Sequence, residues 1–117
     1  MKKIIIIEDD TDTLDLMEVI LRDSGYAVIK ANRSVSLDEI ISIAPSLAIF
    51  DVMLPFGLGN DLCLQIKSDP RSKHIPVILY SASGKLKALA KACLADNYLE
   101  KPFDLSDLLQ MVNETIL

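Results

Sequence analysis

The 117-residue chain predicts an α/β domain built on an open, doubly wound sheet of five parallel strands in the order 2-1-3-4-5. Three observations carry that expectation. Short apolar runs alternate five times with amphipathic stretches. The inner runs show no polar alternation, as strands buried on both faces require. Several runs also stop abruptly at charge, as at Ile7-Glu8-Asp9-Asp10, Phe50-Asp51 and Leu99-Glu100-Lys101. Five βα units are too few for an eight-fold barrel, so the open sheet remains.

Each element has its own signal. Residues 4–7 are four isoleucines, a β-branched strand. Residues 11–24 form a helix with Leu14, Met17, Ile20 and Leu21 on one side, stopped by Gly25. Residues 27–29 make a shorter strand with polar flanks, suited to an edge. Leu37, Ile40, Ile41 and Ala44 follow helical spacing in a segment that ends before Pro45. Residues 47–50 are a second buried strand, and 61–67 a helix after a Gly57/Gly59 loop. Residues 76–80 are a third apolar strand, followed by a helical stripe of Leu86, Leu89, Ala90 and Cys93. Residues 97–99 are the last strand and 105–116 the last helix. No linker is found, so residues 1–117 read as one domain.

Half the residues are hydrophobic and a quarter charged, with a net charge of -5. That balance argues against a surface built to hold nucleic acid. Cys63 and Cys93 lie far apart and form no CxxC pair, which reads as buried free thiols in a reducing compartment. Lys2-Lys3 is followed by only four isoleucines, too few for a leader, and no run reaches the length of a membrane span. A soluble, cytoplasmic protein is expected. The lone histidine, His74, reads as a solvated loop residue.

In open parallel sheets ligands bind beyond the carboxyl ends of the strands. There the chain carries Glu8-Asp9-Asp10, Asp51, Ser81 and Lys101, which the predicted order converges on one cleft. Convergent carboxylates repel unless a cation joins them. Oxygen-only ligands with no histidine or thiolate favour a hard ion, and Mg²⁺ fits a site of few carboxylates and retained water. An aspartate beside that ion is a plausible nucleophile towards phosphorus, giving an aspartyl phosphate. A lysine and a small hydroxyl would neutralise and clamp the transferring group. Taken singly, each residue has a plainer role: a helix N-cap, a turn aspartate, a loop lysine. Four of them at four strand ends point to one site.

These residues lie in Ile4-Ile5-Ile6-Ile7-Glu8-Asp9-Asp10, in Phe50-Asp51-Val52-Met53-Leu54-Pro55 with Gly59, in Ile75-Pro76-Val77-Ile78 leading to Ser81-Ala82, and in Asp96-Asn97-Tyr98-Leu99-Glu100-Lys101-Pro102-Phe103. Over essentially its whole length the chain resembles the response-regulator receiver domain, the CheY-like family of two-component signalling. The resemblance implies a flavodoxin-like (βα)5 fold and a phosphoacceptor signalling domain rather than an enzyme. It implies that Asp51 takes a phosphoryl group from a histidine kinase or histidine phosphotransfer protein. Asp9 would ligate Mg²⁺ directly and Glu8 through water, with Asp51 and the backbone carbonyl of Met53 completing the protein ligands. Ser81 would hydrogen-bond the phosphoryl group, Lys101 would pair with one of its oxygens, and the Lys101–Pro102 bond would be cis. Tyr98 matches the aromatic switch. Two departures fall near the output face: a short segment from Ser81 to Lys101, and Leu94 where glycine is common.

Other functions fit less well. A flavodoxin-like electron carrier needs a hydroxyl- and glycine-rich phosphate loop, and the acids after the first strand would repel that phosphate. An aspartyl phosphatase wants a second acid two residues after the nucleophile, where Met53 stands. The nearer alternative is the N-terminal receiver fragment of a larger DNA-binding transcriptional regulator. The sequence leaves a free-standing receiver and an excised one equally open.

Overall fold

Alternation of apolar runs and amphipathic segments is realised element by element. The computed structural model describes residues 1–54 and 57–116, with backbone alone at 57 and 58. Pro55, quoted in the resemblance, and Leu117 lie outside the described residues. In chain order the elements are β1 (Lys3–Ile7), α1 (Thr11–Asp23), β2 (Ala27–Ala31), α2 (Leu37–Ile43), β3 (Leu47–Asp51), β4 (Met53–Leu54), β5 (Gly57–Leu58), α3 (Gly59–Ser68), β6 (Val77–Ser81), α4 (Leu86–Ala92), β7 (Asn97–Glu100) and α5 (Leu105–Thr115). The main sheet runs β2-β1-β3-β6-β7 and is parallel throughout. Counted within that sheet, this is the expected 2-1-3-4-5 order.

Burial explains why the inner strands lack alternation. Every residue of β3 and β6 is buried, whereas β2 and β7 are partly exposed at the two edges. Strand geometry sends successive side chains to opposite faces. Ile5, Ile7, Ala48, Phe50, Val77 and Leu79 therefore meet Ile40, Cys63, Ile66, Leu86 and Ala90 from α2, α3 and α4. Ile4, Ile6, Leu47, Ile49, Ile78 and Tyr80 meet Leu14, Met17, Leu21, Leu108 and Val112 from α1 and α5. Each fully buried isoleucine contributes about 2 kcal/mol of transfer free energy.

Boundaries differ from the sequence reading in places. The stretch taken as a Gly57/Gly59 loop holds β5, which pairs antiparallel with β4 before it, and α3 begins at Gly59 rather than at 61. Two-residue strands carry no periodicity to read. Strand β2 extends to Ala31 because its ladder with β1 continues to the Ile7–Ala31 pair. Helix α1 ends as expected. Gly25 takes φ 95°, its N–H bonds the Arg22 carbonyl, and the Tyr26 N–H bonds that of Leu21. Among the described residues no helix is long and apolar enough to cross a membrane.

Candidate functional site at the strand ends

Register builds the site. Ile7 is level with Phe50, Asp51 with Tyr80, and Ser81 with Glu100. Glu8, Asp51, Ser81 and Lys101 thus emerge together at the carboxyl edge of β1, β3, β6 and β7. Gly59 sits hard against this edge. A Cβ there would lie 2.1 Å from the Asp51 carbonyl oxygen, so only glycine lets α3 start where it does. Its N–H bonds the Val52 carbonyl at 2.8 Å.

Lys101 is the hub. Its Nζ donates to Asp51 Oδ2 at 2.9 Å and lies 3.7 Å from Glu8 Oε1. Asp51 is 6% exposed and Glu8 1%. The other Asp51 oxygen, Oδ1, accepts the Met53 N–H at 2.9 Å. Glu8 Oε2 accepts the Asp10 N–H at 3.3 Å. Burial raises the Glu8 carboxyl above its ordinary range; the Tyr80 hydroxyl opposes that, and Asp9 beside it adds to it. For Lys101, burial alone would lower the ammonium, but the hydrogen bond and charge of Asp51, then Glu8, hold it above its usual value. The two acids therefore hold the lysine charged, while burial works against the charge on Glu8.

Ser81 is buried, its Oγ accepting the Ser83 N–H at 3.2 Å and its carbonyl accepting the Lys101 N–H at 2.9 Å. The Lys101–Pro102 bond is cis. Tyr98 is half-buried and packs on the α2–α3–α4 side of the sheet. Met53 is 61% exposed at the rim. Asp10 is exposed and caps α1, with the Thr13 hydroxyl holding its carboxyl below the ordinary range.

The acids surround the lysine: Asp9 is exposed beside Glu8, and the Lys101 ammonium lies 3.7 Å from Glu8 and 2.9 Å from Asp51. Among the described residues no three His, Cys, Asp or Glu side chains form a metal-holding group. The donor set still fits Mg²⁺, which takes one or two carboxylates and keeps several waters. All candidate donors are oxygens, and Asp9 lies at the open rim.

Sequence reasoning missed Tyr80. Its ring is fully buried, its hydroxyl donates to Glu8 Oε1 at 2.9 Å, and Lys101 Nζ lies 5.0 Å from its ring centroid. Phe103 meets it edge-on, with centroids 5.9 Å apart. Burial, then the Glu8 charge, push the phenol well above its usual range. The available signal was a hydroxyl at the end of an otherwise aliphatic strand, where a buried polar tip needs a partner.

An open α/β sheet with acids and a lysine at its carboxyl edge defines a class of proteins whose ligand site lies outside the strand ends. The response regulator receiver domain family matches residues 4–113, and the chain belongs to that family, the receiver domains of two-component systems. It is similar to the DNA-binding dual master transcriptional regulator RpaA of a Synechocystis strain, 33% identical over 115 residues, covering 96% of this chain and 48% of that one. It is also similar to histidine kinase P4 of Formosa agariphila, 33% identical over 109 residues, 91% of this chain and 8% of the kinase. A crystal structure of a response regulator from Chloroflexus aurantiacus superposes with a TM-score of 0.84 at 29% identity, over 97% of this chain and 95% of the other. The chain spans about half the length of RpaA and of the Pseudomonas aeruginosa regulator GltR.

Proposed function

We propose that Asp51 is the phosphoacceptor of this receiver, taking a phosphoryl group from a phosphohistidine on a histidine kinase or phosphotransfer protein. The observation that carries this is the ion-paired Asp51–Lys101–Glu8 arrangement at the carboxyl edge of the sheet. An Asp51 oxygen forms a bond to phosphorus as the phosphorus–nitrogen bond of the donor breaks, its electron pair staying on the imidazole. The Met53 N–H holds Oδ1 and so fixes the plane of the attacking carboxylate. Lys101 would follow the growing negative charge from the carboxylate to a phosphoryl oxygen, and the Ser81 hydroxyl would donate to another. Bound Mg²⁺ would supply further neutralisation of those oxygens, held by Asp9, Asp51, the Met53 carbonyl and, through water, Glu8.

The donor protein has a surface to approach. Beside Lys101 lies a groove lined by Leu16, Met17, Ala82 and Phe103, and Leu16 and Val19 of α1 are exposed. Contiguous exposed apolar surface favours a protein partner. Signal output follows from Ser81 moving onto the phosphoryl group, with Tyr98 on the same face of the sheet as the coupled side chain. The length of the relatives favours a second reading, that this is the receiver portion of a longer, DNA-binding regulator. The native open reading frame decides it.

Acetyl phosphate with Mg²⁺ is expected to add about 80 Da, one phosphoryl group, to the protein. Asp51→Asn abolishes the adduct, and EDTA prevents it. An adduct that persists in Asp51→Asn assigns the acceptor elsewhere, and full labelling in EDTA removes the metal.

A further inference from the structure

We infer that the Tyr80 hydroxyl is a positioning group for this site, orienting Glu8 so that the cleft binds a divalent cation. The inference rests on the reading of Glu8 as one of the metal-holding acids. The other residues of β6 before Ser81 are Val77, Ile78 and Leu79, and any of several apolar side chains would fill the core at position 80. A tyrosine there buries a phenol, which must find a partner. It finds Glu8 Oε1, at 2.9 Å, on a side chain that is itself 1% exposed.

That bond does more than satisfy two buried groups. Glu8 Oε2 is held from the other side by the Asp10 N–H at 3.3 Å. The carboxylate is thus fixed at both oxygens, one by β6 and one by the turn into α1. The ring of the same tyrosine lies under Lys101, 5.0 Å from Nζ to centroid, and Phe103 is set edge-on against it. One side chain therefore spans the acid of β1 and the lysine beyond β7. Groups that hold a metal-site acid from behind, here one that meets the ion through water, set its direction, and loss of such outer partners weakens metal affinity roughly tenfold or more.

Tyr80→Phe separates the two contributions, because it keeps the ring, its packing and the lysine contact while deleting only the hydroxyl. Tyr26→Phe serves as the control. Its hydroxyl donates to Asn113, away from the cleft, and its removal tests the loss of any tyrosine hydroxyl. Mg²⁺ affinity of the full chain is measured by titration calorimetry without phosphodonor, and adduct formation from acetyl phosphate is followed by mass at low and at saturating Mg²⁺. The expected result is a dissociation constant raised roughly tenfold in Tyr80→Phe and unchanged in Tyr26→Phe. Adduct formation should fall at low Mg²⁺ and recover at saturation, a pattern that lost stability alone does not produce. Wild-type affinity in Tyr80→Phe overturns the role of the hydroxyl, as does a defect that saturating Mg²⁺ leaves in place. Absence of Mg²⁺ binding by the wild-type protein overturns the metal reading itself, and with it this inference.

Discussion

Leu94 stands in the left-handed region, φ 64°, just after the end of α4. Its N–H bonds the Lys91 carbonyl at 3.3 Å and the Ala95 N–H bonds that of Ala90 at 2.9 Å, the double bond pattern that ends a helix and normally carries glycine. A Cβ there costs about 1–2 kcal/mol, and glycine returns about 0.5–1 kcal/mol of that through the freedom it adds to the unfolded chain. Leu94 is 60% exposed, so its side chain contributes little packing. Leu94→Gly is expected to stabilise the protein by about 0.5–1 kcal/mol, read as a raised urea midpoint. An unchanged or lowered midpoint would show that the leucine is not strained. The departure from glycine was visible in the sequence, but not its backbone angle. Tyr80 was hidden for a different reason. A tyrosine in an apolar run reads as core, and only the fold reveals that Glu8, 72 residues away in sequence, is its partner.

At the scale of elements, what could be read depended on length and burial. Strands β1, β3 and β6 declared themselves because burial on both faces removes every polar residue until the strand ends, so the same pattern exposed Asp51 and Glu8 as exceptions. The β4–β5 pair had no such signal. Lys67 is a similar omission, since a lone lysine on a helix reads as solvated. Its side chain is only 9% exposed, and from the last turn of α3 it donates to the Ile75 carbonyl at 2.7 Å and the Lys73 carbonyl at 3.3 Å. It also pairs at 2.7 Å with Asp96, whose same oxygen accepts the Val77 N–H. One ammonium thus ties α3 to the entries of β6 and β7. Lys67→Met keeps the apolar stem and deletes the charge, leaving two carbonyls without the ammonium and the Asp96 carboxylate with the Val77 N–H but no paired charge. The expected loss is about 2 kcal/mol, seen as a lowered urea midpoint with little change in slope. A variant as stable as the wild type would mean that water replaces the ammonium freely.

Across the whole molecule, the sheet separates two apolar clusters, and both thiols lie in the one beneath α2, α3 and α4. Cys63 is 0% exposed and Cys93 3%. The Cys63 thiol donates to the Cys93 carbonyl at 3.3 Å, bridging α3 to the end of α4. Burial, first of all, pushes Cys63 well above the ordinary thiol range, so the reactive thiolate is scarce while the protein is folded. Reaching either sulfur requires α3 or α4 to leave the central strands β3 and β6, which amounts to opening the core. For a domain of about 5–15 kcal/mol stability, such openings occupy less than about one molecule in a thousand. Iodoacetamide at mildly alkaline pH is therefore expected to leave the native protein unmodified over a time that fully alkylates it in denaturing urea. Both cysteines should become reactive together across the urea transition, as mass spectrometry of the intact chain reports. Rapid single alkylation of the native protein would instead show that one of these helices lifts away on its own, and that the cluster beneath α2, α3 and α4 is not a single cooperative unit.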